Sequence, residues 1–165
     1  MHVIAAKAVA FAEAHEQKFI SYQQQVIANA RAMASAFTDL GYRIVTGGTD
    51  THLFLVDLRS KQHPDSLEKI TGSLVEKTLE KCNIIVNRNL IPFDPEKPLT
   101  TSGIRIGTPA ITTRGFNQKE AIEVVQLIDE AIHARHDDQA LNRIREHVKT
   151  LCQQFPIYTS GGSCA

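Results

Sequence analysis

The sequence predicts an α+β sandwich, a small and mainly antiparallel sheet with helices packed on one side of it. Three observations point there. A long run with apolar residues at steps of three and four gives way, after Gly41, to two short β-rich segments around Gly47-Gly48-Thr49-Asp50; further helical runs then close the chain. No internal repeat or second domain boundary interrupts this order. At 165 residues and 42% hydrophobic, the chain has the length and apolar content of one ordinary domain.

The elements follow in order. Ile4, Ala8 and Phe11 form a short helical stripe ending near His15. Its start lacks an N-cap residue, so part of the face it buries is expected to lie outside the chain. Phe19, Tyr22, Val26, Ala30, Met33, Phe37 and Leu40 define a long amphipathic helix, with Gly41 placed for a left-handed C-cap. Tyr42 to Thr46 and His52 to Leu58 read as an antiparallel hairpin across the glycine turn. After the polar segment Arg59 to Gly72, Ser73-Leu74-Val75-Glu76 matches a capping box, so the next helix is expected to start at Ser73. A start near Asp65 would bury Leu67 and Ile70 as well, but would place Gly72 inside a helix at about 1 kcal/mol against alanine. Ile84-Ile85-Val86 reads as a short buried strand, and Asn87 to Thr101, carrying Pro92, Pro95 and Pro98, as irregular. Ser102 to Gly107 reads as a strand. Thr108-Pro109 reads as an N-cap with proline at the first helical position of a short helix ending near Gly115. Asn117 to Glu120 opens a helix that buries Val124, Val125, Ile128, Ala131 and Ile132. A last helix carries Leu141, Ile144, Val148 and Leu151 and stops at Pro156, leaving 156–165 as a disordered tail.

Composition excludes several functions. Lys and Arg (18) balance Asp and Glu (18), so no broad field gathers nucleic acid or a membrane surface. The longest apolar stretch, Ala8 to Ala12, falls far short of the roughly 18 residues of a membrane span. Lys7 splits what could pass for a signal sequence, and three cysteines without C-x-x-C spacing, Cys82, Cys152 and Cys164, fit a reducing, cytoplasmic setting, with Cys82 and Cys152 as small core residues. His133, His136, Asp137 and Asp138 lack a further ligand in register, so no metal site is expected. There is no P-loop, G-x-G-x-x-G, G-x-S-x-G or H-E-x-x-H.

The chemistry concentrates between Ile84 and Phe116, where Arg88, Lys97, Arg105 and Arg114 face only Asp94 and Glu96. Arg105 stands out: Ile104 and Ile106 flank it, Gly103 and Gly107 bracket it, and its planar fork suits two-point capture of a carboxylate or phosphate. The glycines would let a ligand approach closely. An arginine paired to a carboxylate within the fold, or on the solvent face of an edge strand, is the competing reading. Asn89 in Asn87-Arg88-Asn89 has the bland reading of a turn residue, and His52 that of a hydrogen-bonded structural histidine.

Several segments together carry a resemblance. Met1 to Phe11, Gly47-Gly48-Thr49-Asp50-Thr51-His52-Leu53, Val86-Asn87-Arg88-Asn89, Ile91-Pro92-Phe93-Asp94-Pro95 and Thr101-Ser102-Gly103-Ile104-Arg105-Ile106-Gly107-Thr108-Pro109-Ala110 occur in the order found in serine hydroxymethyltransferases. The similarity runs from Met1 to about Leu151, departing at the polar segment Ser60 to Thr71, which is longer than the family pattern. It implies the C-terminal small domain (1–155) of a fold-type-I pyridoxal-phosphate enzyme, with 1–15 as the end of a connecting helix. The reaction implied is interconversion of serine plus tetrahydrofolate with glycine plus methylenetetrahydrofolate. On the matching positions, Arg105 would bind the substrate carboxylate and Asn89 the folate, while Ser102, Gly103 and Thr108 would support them. The family's Schiff-base lysine and cofactor contacts have no counterpart in this sequence, which implies no catalytic or cofactor-binding residue here and a chain inactive alone. The partners implied are an upstream cofactor-binding domain and a homodimer or tetramer. Other fold-type-I enzymes, a threonine aldolase or an oxoamine synthase, and a stand-alone carboxylate-binding module are the alternatives.

Overall fold

The computed structural model of the chain describes residues 1–62 and 68–157. The disordered-tail expectation falls almost wholly outside them, as does the whole of Asp65 to Leu67, where the alternative helix start would fall.

Helix α1 (His2–Ala14) buries none of its residues within the chain, and its apolar side chains Ile4 and Phe11 are exposed. Helix α2 (Gln17–Asp39) buries Val26, Ala30, Met33 and Phe37 on one face, as its spacing predicts. It ends in a Schellman motif: Gly41, at φ +85°, donates to Thr38, and Tyr42 donates to Phe37. The hairpin follows as expected but shorter, with β1 (Arg43–Ile44) antiparallel to β2 (Leu53–Asp57).

Helix α3 (Gly72–Lys81) corrects the capping expectation. Its N-cap is Thr71, whose hydroxyl accepts the Leu74 amide, and Glu76 is turned away to Arg88. Gly72 sits inside the first turn because a methyl group there would lie 2.0 Å from Thr101 Oγ1 and 2.3 Å from the Gly103 carbonyl. The sequence pattern shows the local capping match but not this tertiary contact.

The strand expected at Ile84 to Val86 is displaced to β3 (Asn87–Asn89). Asn83, at φ +60°, ends the helix, and the Ile84 amide is taken by the Leu79 carbonyl. Continued pairing would set Ile85 opposite Gly107, where the partner strand turns toward Pro109, which has no amide hydrogen. Ile85 is accordingly 80% exposed. Strand β4 (Gly103–Gly107) pairs antiparallel with β2 on one side and β3 on the other, giving the order β1-β2-β4-β3. Helix α4 (Pro109–Thr113) begins with proline as expected, although the Thr108 hydroxyl does not cap it. Helix α5 (Gln118–His133) carries a full capping box between Asn117 and Glu120, and α6 (Asp138–Gln154) completes the helical layer.

Alternation gives the sheet two unlike faces. Ile44, Phe54, Val56, Ile104 and Ile106 are buried against α2, α3 and α5, where Phe37, Leu79, Val125 and Ile128 complete the core. The other face carries Arg43, Leu53, Leu55, Asn87, Asn89 and Arg105; Ile91 covers it at Gly103, and around Asn87 and Arg105 it is exposed. The predicted α+β architecture, with helices on one side, is the one observed.

Gly103 is the tightest point of this sheet. A methyl group there would lie 2.6 Å from Ile91 Cγ2 and 2.8 Å from the Val56 carbonyl. Gly103→Ala is expected to cost about 1–3 kcal/mol, the usual range for overpacking. Gly48→Ala, with nothing within 4 Å of the added group, should be near neutral. Urea unfolding midpoints check both; equal midpoints for the two variants would contradict the close approach.

Candidate functional site

Beside Arg105 a cleft of about 430 Å³ opens on the uncovered sheet face, lined by His52, Leu53, Ile85, Val86, Asn87, Arg105, Ile106 and Gly107. Arg105 comes from the middle of β4, an interior strand, so its backbone is fixed by pairing to Leu55 on one side and Asn87 on the other. Its side chain is exposed, and among the described residues it meets no carboxylate; its hydrogen bond is to Asn87 Oδ1 at 3.4 Å. The carboxylate-paired reading therefore does not fit among the described residues, while the solvent-face reading fits in exposure but not in strand position, β4 being interior.

Neighbouring cations are used differently. Arg43 and Arg59 both bond Asp57, at 2.7 and 2.9 Å, and the Arg88 guanidinium is paired with Glu76. Arg114 donates to the Cys152 and Phe155 carbonyls at the end of α6. A larger hollow of about 630 Å³ beside Gly47 to Thr51 offers no such free charge, because Asp50 there is paired with Arg31.

The residues named with Arg105 divide. Asn89 lies on the same sheet face two positions beyond Asn87, which is about 6–7 Å along a strand, and outside the cleft lining. Its Nδ2 donates to the Leu90 carbonyl at 2.7 Å, and among the described residues Oδ1 has no partner. Ser102 and Thr108 are buried and build the frame. Thr108 Oγ1 donates to the Val26 carbonyl (2.8 Å) and approaches that of His52 (3.3 Å), tying α2 and the start of β2 to the end of β4. Gly103 does not receive a ligand, since the protein's own atoms fill the space over it, whereas Gly107 is exposed and lines the cleft. The structural-histidine reading of His52 is also revised: its carbonyl is hydrogen-bonded, but its ring is exposed at the cleft without a bond among the described residues.

The sequence reading missed Asp94. Its carboxylate accepts from the Ile91, Glu96 and Ser102 amides and, at 2.6 Å, from the Ser102 hydroxyl. Partial burial alone would raise its pKa, but these donors outweigh that and bring it down to about 2. One side chain thereby closes the proline-containing loop onto Ser102, the residue just before β4. An aspartate between Pro-Phe and Pro is the kind of residue that bonds backbone amides a few positions away, so a local signal was present. A second residue, Glu76, accepts from the Arg88 amide as well as its guanidinium and pins β3 to α3.

The chain belongs to the serine hydroxymethyltransferase family. The family model "Serine hydroxymethyltransferase" matches residues 1–128. Over 160 residues the chain is 56% identical to a serine hydroxymethyltransferase of Myxococcus xanthus, covering 97% of this chain and 37% of that protein. Those of Nitrosospira multiformis and Nitrosomonas europaea are 52% and 51% identical over 158 residues, each covering 96% of this chain and 36% of the relative. The chain thus spans a little over a third of the length of these relatives. Among the described residues no helix is long and apolar enough to cross a membrane, and no three His, Cys, Asp or Glu side chains are placed to hold a metal ion.

The lowered pKa of Asp94 fixes a pH window. A carboxyl held below its ordinary value stabilises the folded loop fully above about pH 4 and loses that contribution as the pH falls toward 2. Amide exchange at Ile91 and Ser102, corrected for intrinsic rates, should therefore lose protection across that window while β2 stays protected. Asp94→Asn, which places a donor where four donors converge, should leave both amides poorly protected already at neutral pH.

Proposed function

We propose that this chain is the C-terminal small domain of a pyridoxal-phosphate-dependent serine hydroxymethyltransferase. In that role it binds the amino-acid carboxylate through Arg105 and the pterin part of tetrahydrofolate through Asn89. The observation that carries the proposal is the exposed Arg105 guanidinium, on a backbone fixed in an interior strand and without a carboxylate partner among the described residues, at the edge of a cleft.

The residues here fit a carboxylate and do not fit the cofactor. Among the residues lining the cleft there is no lysine to carry it. The cofactor and its chemistry are assigned to the part of the enzyme beyond this chain, and the chain alone is expected to be inactive. What this domain contributes is positioning. A bidentate guanidinium–carboxylate pair fixes the carboxylate plane as well as its location, and this limits rotation about the bond to Cα. Asn89, with its amide oxygen still available, can accept from a heterocycle edge, and its amide nitrogen could exchange Leu90 for that ligand. The spacing of Arg105 and Asn89 on one sheet face lets one rigid scaffold orient two substrates relative to each other.

In the complete enzyme, Arg105→Lys keeps the charge and loses the fork. The Michaelis constant for serine should rise about ten- to a hundredfold, the equivalent of one charge-assisted bond at about 1.5–3 kcal/mol, with a much smaller change for tetrahydrofolate. Asn89→Ala should show the opposite selectivity, a rise of about three- to tenfold for tetrahydrofolate with serine little changed. Steady-state kinetics with each substrate varied in turn separate these outcomes. A serine constant unchanged by Arg105→Lys would rule out the assignment.

A further inference from the structure

We propose that Asn87 is a positioning residue for Arg105, a neutral tether that holds the guanidinium over the cleft while leaving its charge to the ligand. The inference rests on the reading of Arg105 as the carboxylate-binding residue.

Four observations converge on it. Asn87 is the register partner of Arg105 across the β3–β4 ladder, so both side chains leave the same face at the same height. Asn87 Oδ1 accepts from Arg105 Nη2 at 3.4 Å, at the long end for such a bond. Both residues line the same cleft and both are exposed. The backbone that delivers Asn87 is itself fixed, because the next residue, Arg88, is held to Glu76 of α3 through both its amide and its guanidinium.

The chemistry explains why an amide suits this position. A free arginine side chain is long and has many rotamers, and ordering it when a ligand binds costs affinity. A neutral acceptor on a rigid strand removes part of that cost with one of the five N–H groups. Because it carries no charge, it does not neutralise the fork or compete with an ionised ligand. A carboxylate in the same place would do both. Arg43 and Arg59 show the result, since Asp57, also on the open face of the sheet, holds both of them in ion pairs.

The test compares Asn87→Ala and Asn87→Asp in the complete hydroxymethyltransferase, with kinetics for both substrates and thermal unfolding. Asn87→Ala should raise the Michaelis constant for serine about three- to tenfold, with kcat and the tetrahydrofolate constant changed less than twofold. Asn87→Asp is the closer match in shape, yet it should raise the serine constant further than alanine does, because it occupies the fork as an ion pair. A purely structural asparagine gives the reverse order, with the aspartate variant milder and both substrate constants moving together with the melting temperature; that result overturns the proposal. So does an unchanged serine constant in Asn87→Ala. Arg105→Lys, measured alongside, keeps the two readings apart. If it leaves serine binding intact, the assignment of Arg105 fails; if it weakens serine binding while both Asn87 variants behave as wild type, only the tether fails.

Discussion

The proline-containing loop between β3 and β4 is held by one carboxylate. Asp94 gathers the amides of Ile91, Glu96 and Ser102 and the Ser102 hydroxyl, and with them it sets where the loop ends and β4 begins. Everything on the open face depends on that starting point. Side chains in a strand alternate between faces, so a shift of one residue would bury Arg105 in the core and expose both Ile104 and Ile106. The register is further secured by Gly103, pressed between Ile91 and the Val56 carbonyl, and by the Gly72 and Ser73 amides, which donate to the Thr101 and Thr100 carbonyls. These contacts converge on Thr100 to Gly103, where the loop runs into β4. The backbone of the arginine three positions beyond Ser102 is thereby fixed by strand pairing, with no protein carboxylate holding its side chain among the described residues.

The charge distribution follows a related logic. The chain as a whole is neutral, and around the sheet most cations are matched locally: Arg43 and Arg59 by Asp57, Arg88 by Glu76, Lys69 by Glu96. Asp57 is almost fully buried; that burial would raise its pKa, but the bonds from Arg59 and Arg43 prevail and lower it. Against this background Arg105 differs, since among the described residues its guanidinium meets only a neutral amide.

Much of the fold was legible in the sequence because it is governed by local rules. The helical spacing of α2, α5 and α6, the Schellman signal at Gly41, the hairpin turn and the proline at the start of α4 all express short-range sterics and hydrogen bonding. The errors fall where a tertiary contact overrides a local pattern. Ser73 and Glu76 match a capping box, but Glu76 is drawn to Arg88 across the layer, leaving Thr71 to cap the helix. Ile84 to Val86 has the composition of a strand, but its possible partner is already turning into α4, so the pairing begins three residues later at polar Asn87. At the candidate site, the strand that carries Arg105 was legible from its neighbours. Asn87 was not, because only the cross-strand register brings it opposite Arg105.

A crystal structure of the complete enzyme with serine bound tests the central claim most directly. The expected result is a serine carboxylate held by two parallel bonds from the Arg105 guanidinium, each about 2.7–2.9 Å as in other charge-assisted pairs, with Asn87 still touching the remaining N–H. A serine carboxylate bound elsewhere, with Arg105 turned to a protein carboxylate or to solvent, would contradict it.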